Sequence, residues 1–370
     1  MKYVKPLHVW KKKITVALSA WVLAALLTAD IPAAEASILG TVIAGVQASH
    51  QIDQQVKYLD ETEEGRQELF QYYKKELGVV HESPYEAVTR RAIDRLTQGI
   101  AQTEPTILDK PFLWFINPDK SFNAFCSMGH IMSINHGFYD YIQNEDEIAV
   151  VLGHEMAHGM KRHSARGMRK KLNATIGTAL VAESISGGVL TNVVMNVVYK
   201  NIMNVQITGK QEWEADALAL EYIMAAGYNP GAAPAVWQRF IEKAGDNRQN
   251  TVAEILNPAN HASNGERKEK YIQTIKKMSG NKVDLVGNEV RVGGKALLRP
   301  EPAGGMSSAE RACFVFGNLA SAFKSGHNKA GAHVEGNTVY LGSQPIIACT
   351  NGDESTSVIA DRLNSLLTLK

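Results

Sequence analysis

The sequence predicts an α+β protein that is mainly helical, with one small sheet in its main domain and a smaller α+β domain at the C-terminus. Three observations carry this reading. Residues 40–104 and 144–226 place apolar residues at helical spacing with few internal breaks. Residues 110–135 are rich in aromatic and β-branched residues and carry turn signals at Asn117-Pro118-Asp119 and Gly129. From about residue 281 the texture shifts to short strand-and-turn segments alternating with two helical ones.

Residues 1–36 read as a signal peptide. A basic stretch, "MKYVKPLHVWKKK", precedes an apolar run, "ITVALSAWVLAALLTA", and then small residues ending at Ala36. The apolar run is shorter than the roughly 20 residues a spanning helix needs. The expectation is an exported protein, periplasmic in a Gram-negative cell. The chain carries a formal charge of +1, which offers no electrostatic ground for nucleic-acid binding. Export would bring the three cysteines into an oxidising compartment. A Cys313–Cys349 disulfide and three free thiols are both compatible with their placement.

The main domain is expected over residues 37–280. "DETEEGRQELFQYYKKEL" and "YEAVTRRAIDRLTQGIA" read as helices, and residues 110–135 as two or three short strands. "NEDEIAVVLGHEMAHGMKRHSARGMRKKL" reads as one strong helix, capped by Asn144 and with Glu145, Asp146 and Glu147 in its first turn. Residues 172–206 read as two amphipathic helices, with membrane contact as the lesser alternative. Another helix covers about 209–226 and stops at Gly227. Residues 281–370 form the C-terminal α+β domain, in which Ser307 and Glu310 are spaced as a capping box. No internal repeat is evident, and no motif in this domain carries chemistry. A docking or structural role is expected for it.

The chemistry concentrates in "GHEMAH". Ile148, Val151 and Leu152 form an apolar helical stripe that continues onto His154, Glu155 and His158. Two imidazoles and a carboxylate on a core-facing surface are costly unless something satisfies them. A metal ion would, because His154 and His158, four residues apart, reach one ion and Glu155 lies beside it. Such a short pattern arises by chance, so a third ligand is needed. The spacing H-E-x-x-H-x-x-G-x-x-H is absent, since positions 161 and 164 are Lys and Ser. His163, five residues beyond His158, points away from the ligand face of a continuous helix and reads as a surface or second-layer histidine. In "GKQEWEADALALEYIMAAG", Glu212, Ala215, Asp216, Ala219 and Tyr222 share one face. Glu212 is therefore the expected third ligand, with Asp216 one turn on to accept from a ligand imidazole. Three protein ligands and an open position describe catalytic zinc, one ion per chain, with Glu155 as the base for peptide hydrolysis.

"HEMAH", then "EWEAD", with "FNAFCSMGHIMSINHGFYDYI" ahead of them, resembles the M48 metallopeptidases of the gluzincin group over roughly residues 80–275. The resemblance is to the soluble, exported quality-control branch. It implies a mainly helical gluzincin fold with a small sheet, ligands His154, His158 and Glu212, and Glu155 as base. It also implies that Asn123, Ala124 and Phe125 lie by the cleft, where an edge strand near 122–135 would pair with substrate backbone. Relatives often carry a His-Pro pair ahead of a Ser/Arg-containing helix, and in some soluble members that histidine is thought to cap the zinc. Here the pair is Asn257-Pro258, leaving His261 either to take that place or to stand as a loop histidine. The C-terminal segment lacks the helical-pair period of the TPR repeats found in some relatives.

The leading expectation is an exported zinc endopeptidase acting on misfolded or unassembled envelope polypeptides, with peripheral membrane or envelope-complex association. The alternative is a zinc-stabilised chaperone or assembly factor with weak or gated proteolysis.

Overall fold

The computed structural model describes residues 49–142, 144–182, 187–201, 207–244 and 263–368. The signal segment, Asn257-Pro258 and His261 therefore lie outside the described residues. The main region opens with a helical run over 49–61, followed by α1 (Glu63–Leu77) and α2 (Glu86–Ala101). Thr62 caps α1, accepting from Gly65 N at 3.1 Å.

The stretch read as two or three strands forms three: β1 (Leu113–Asn117), β2 (Ala124–Ser127) and β3 (Ile131–Asn135). Their order is β1-β3-β2, with β1 parallel and β2 antiparallel to β3. This small sheet separates two apolar cores. Phe115 and Ile131 belong to one with Leu59, Tyr73, Met168 and Val198, while Ile116, Met132 and Ile134 belong to the other.

The long helix expected from residue 144 is two helices. Asn144 caps α3 (Glu145–Met160), its side chain accepting from Asp146 N. The chain then breaks at Lys161-Arg162, and α4 (His163–Ala182) begins. Arg162 adopts the left-handed φ of +54°, and its guanidinium meets Asp60 at 2.5 Å and Glu61 at 2.7 Å. Distant acids thus hold a kink that local helix propensity would not choose. Nor does α3 merely present one apolar face: every residue from Glu147 to Gly159 is buried. A Cβ at Gly159 would lie 2.7 Å from the Phe112 ring and 2.9 Å from Cys126 Sγ, so this glycine lets α3 lie against β2.

The two helices expected within 172–206 are α4 and α5 (Gly187–Asn201). No helix among the described residues is long and apolar enough to cross a membrane. Helix α6 (Gly209–Ala225) ends as expected before Gly227, whose φ is +75°, and runs against α3. Helices α7 (Ala232–Ala244) and α8 (Asn264–Met278) complete the group.

Beyond residue 281 the expectation of no internal repeat is overturned. Strands β4 (Val283–Val286), β5 (Glu289–Val292) and β6 (Lys295–Leu298) lead into α9 (Ser308–Lys324). Strands β7 (Ala332–Glu335), β8 (Thr338–Leu341) and β9 (Gln344–Ala348) lead into α10 (Thr356–Thr368). Both meanders are antiparallel, and each has a register shift at the same point, Val290/Arg291 and Val339/Tyr340. "GNEVRVG" and "GNTVYLG" stand 49 residues apart in equivalent turns and strands. The packing is reciprocal: α9 lies on β4, β5 and β9, and α10 on β7, β8 and β6. The first copy also docks on α7 and α8. Asn229 Nδ2 donates to Phe314 O at 3.0 Å, and buried Arg239 pairs with Glu310 at 2.5 Å and Glu147 at 2.9 Å. The Ser307–Glu310 capping box is present. Among the described residues all three cysteines are free thiols.

Candidate metal centre

Two helices bring the centre together. His154 and His158 lie one turn apart on α3, and Glu212 lies in the first turn of α6, which Thr208 and Gln211 start as a capping box. On α6 the buried residues include Glu212, Ala215, Asp216, Ala219 and Tyr222, the face read from spacing, while Glu214 and Glu221 are exposed.

The imidazoles face each other, His154 Nε2 to His158 Nε2 at 3.0 Å. Glu212 spans both, with Oε2 3.4 Å from His154 Nε2 and Oε1 3.4 Å from His158 Nε2. Among the described residues, this is the one set of three His, Cys, Asp or Glu donors close enough together to hold an ion. The spacing fits zinc, because ligands about 2.0–2.1 Å from a tetrahedral ion stand about 3.3 Å from one another. The charge fits as well. Buried carboxylates at Glu155, Glu212 and Asp216 face a single buried guanidinium, Arg267, an excess matched by a divalent cation. Burial alone would hold both imidazoles neutral. Asp216 and Glu212 overcome it at His154 and push that group up to about 10, whereas burial and the neighbouring His154 take His158 down to about 3.

Asp216 lies where it can orient His154. Its Oδ1 is 3.0 Å from His154 Nδ1. Arg267, from α8, donates from Nε to Asp216 Oδ2 at 2.7 Å and from its terminal nitrogen to Oδ1. Tyr271 Oη donates to the same Oδ1 at 3.0 Å, and Trp237 packs its ring against the guanidinium, 3.8 Å from centroid to Cζ. The sequence reading missed Arg267, although a buried acid such as Asp216 signals that a cation must lie near it.

Of the two places expected for His163, surface or second layer, the structure shows the second; it is not turned away from the site, because the break at Arg162 swings it back under α3. It is fully buried, with Nδ1 2.9 Å from His158 Nδ1 and Nε2 3.2 Å from Glu214 Oε2.

Glu155 sits beside the donor group with its Oε2 accepting from Cys126 N at 2.9 Å. Burial, against the opposing pull of His154, brings its carboxyl up to about 7. Cys126 belongs to β2, at the edge of the small sheet. Asn123 O accepts from Asn135 N on β3 at 2.9 Å, so Asn123 and Phe125 direct their backbone groups inward. Those of Ala124 and Cys126 point to the free edge. At Cys126 the edge is already taken by the chain itself, since Ser164 Oγ donates to Cys126 O at 2.6 Å. Of the edge expected near 122–135, Ala124 is the position facing outward without such a partner among the described residues.

The family model for peptidase family M48 matches residues 88–301, more than half of the chain. The match extends through the strands of the first C-terminal repeat. The chain is 28% identical over 124 residues to mitochondrial metalloendopeptidase OMA1 of Arabidopsis thaliana, covering 34% of this chain and 24% of that one. It is 30% identical over 125 residues to the Saccharomyces cerevisiae OMA1, covering 34% and 35%. It is 23% identical over 141 residues to the beta-barrel assembly-enhancing protease of Escherichia coli K12, covering 36% and 29%. The matched segments thus span about a quarter to a third of these relatives.

Proposed function

The chain belongs to peptidase family M48, a family of metal-dependent peptidases, and from that premise we propose that it is an exported zinc endopeptidase acting on misfolded or unassembled envelope polypeptides. The observation that carries the reading is the His154–His158–Glu212 donor triangle with the Glu155 carboxylate beside it. Export rests on the layout of residues 1–36. The envelope substrate class, and association with an envelope complex or the membrane surface, draw on the name of the beta-barrel assembly-enhancing relatives.

In this reading His154, His158 and Glu212 hold the ion. A bound zinc ion supplies Lewis-acid polarisation of the scissile carbonyl and acidifies the attacking water. Glu155 takes the proton of that water and delivers it to the leaving amine. The Cys126 amide fixes one of its oxygens, which leaves Oε1 for the transfer. Asp216 fixes the ring of His154. Substrate backbone would pair with the β2 edge at Ala124, beside Asn123 and Phe125.

Both imidazoles, Glu155 and Glu212 are no more than 8% exposed, so the donor set presents little surface to a polypeptide. That burial is compatible with a second reading, a zinc-stabilised chaperone or assembly factor with weak or gated cleavage.

The test is metal analysis and peptidase assay of the purified protein. About one zinc per chain is expected, falling to background in Glu212→Ala. Glu155→Gln should keep its zinc and lose cleavage by at least about a hundredfold. Retention of the biological role by Glu155→Gln would establish the assembly-factor reading, and absence of zinc from the wild-type protein would sink both.

A further inference from the structure

We propose that His163 and Glu214 are positioning residues that hold His158 as a metal ligand through a directed chain of two hydrogen bonds. The proposal rests on the reading of His154, His158 and Glu212 as zinc ligands, and adds a support that the sequence pattern does not reveal.

A line of ring nitrogens and one carboxylate fixes where each proton sits. His158 Nε2 faces His154 and Glu212, so a cation there needs its lone pair. The single proton of a neutral His158 must then sit on Nδ1. That nitrogen is 2.9 Å from His163 Nδ1. Two protonated nitrogens cannot face each other at that distance, so His163 Nδ1 must be bare and accept. The proton of a neutral His163 is thereby placed on Nε2, which is 3.2 Å from Glu214 Oε2 and donates to it. Each link fixes the next: Glu214 selects the tautomer of His163, and His163 selects that of His158. The rings are held as well as the protons. His163 is fully buried, and the His158 and His163 rings meet edge-on at 69° with centroids 5.0 Å apart.

The backbone supports the same conclusion. On a continuous helix, position 163 would lie far around from 158. The left-handed residue Arg162, pinned by Asp60 and Glu61, returns His163 to the site. Glu214 comes from the solvent side of α6, the helix that supplies Glu212, so α6 serves both imidazoles from two different faces.

The test is zinc affinity by chelator competition, read beside far-UV circular dichroism and melting temperature. His163→Phe keeps a ring but offers no acceptor, His163→Leu is a second apolar variant of smaller volume, and His163→Gln keeps a carbonyl that can accept from His158. The apolar variants are expected to bind zinc about 10–100-fold more weakly, as when the hydrogen-bond partner of a ligand histidine is lost, with His163→Gln staying within about threefold of wild type. Equal affinity in all variants, or an equal loss in Phe, Leu and Gln, would overturn the proposal. A separate readout needs no variant. Imidazole ¹⁵N shifts of the zinc-loaded wild-type protein should show Nδ1–H at His158 and Nε2–H at His163, and the opposite tautomer at His163 overturns the chain of bonds. If wild-type protein binds no zinc, the metal reading itself fails, and that result differs from normal binding with indifferent variants.

Discussion

The two imidazoles on α3 are supported in opposite ways. His154 leans directly on a carboxylate, and that carboxylate, Asp216, is itself held by Arg267, Tyr271 and through Arg267 by Trp237, all buried. His158 leans on a neutral ring, His163, which reaches the half-exposed carboxylate of Glu214. The first support is a buried ion pair and contributes to the fold as well as to the ligand. The second ends in solvent and contributes orientation. A buried charge is costly to leave without its counter-charge, whereas an exposed one is replaced by water at small cost. The two sides of the candidate metal site should therefore respond to mutation differently, with a change in stability on one side and in metal affinity on the other.

The largest effect is expected from Asp216→Asn. It removes the carboxylate charge that accepts two hydrogen bonds from buried Arg267, and breaking a buried pair typically costs about 3–5 kcal/mol. It also weakens the bond that orients His154, which for such carboxylates costs about 10–100-fold in metal affinity. Chemical denaturation and chelator competition on the same protein should thus both move. A variant that lost zinc affinity with unchanged stability would make the two supports alike and break the comparison.

Arg267→Met separates the two contributions. It removes the cation but leaves the Asp216–His154 contact of 3.0 Å in place. The expected result is a stability loss of about 3 kcal/mol in the metal-free protein. Zinc affinity should change by less than about tenfold, because His154 keeps its acceptor. Should affinity fall as far as in Asp216→Asn, the guanidinium rather than the carboxylate would be what orients His154.

Most of the donor set was legible in the sequence because it depends on local periodicity. Residues four apart on a helix share a face whatever surrounds them, so His154 and His158 could be paired, and Glu212 and Asp216 singled out as acids on an apolar face. The helix caps at Asn144 and Ser307 are equally local. What was not legible depends on contacts far along the chain. His163 was set aside on helical geometry that Arg162 breaks, and the acids holding Arg162 lie about a hundred residues earlier. Arg267 comes from a third helix, 51 residues beyond Asp216. The duplicated C-terminal unit escaped notice for another reason. Its two copies share little beyond the turn Gly-Asn and the alternating apolar positions, a pattern that any bulged meander satisfies. The copies also diverge where only one meets the main region. Gly317 on α9 sits where a Cβ would lie 2.2 Å from Gly231 N, whereas α10 buries only Ile359, Ala360 and Leu363.

The smallest effect belongs to Glu214→Ala. Glu214 accepts from a buried imidazole, as Asp216 does, yet its side chain is 46% exposed. Water can take over the bond to His163 Nε2 when the carboxylate is removed, at a cost in ordering of about 0–2 kcal/mol. The expected outcome is a loss of zinc affinity of no more than about threefold and a change in stability within about 0.5 kcal/mol, as for an ordinary surface substitution. A water accepting from Nε2 keeps His163 in the tautomer that leaves Nδ1 free to accept from His158, so the bond to the ligand histidine survives the loss of Glu214. Should Glu214→Ala instead match Asp216→Asn in either measurement, burial would not be what sets the worth of a supporting carboxylate, and the contrast between the two imidazoles would fall with it.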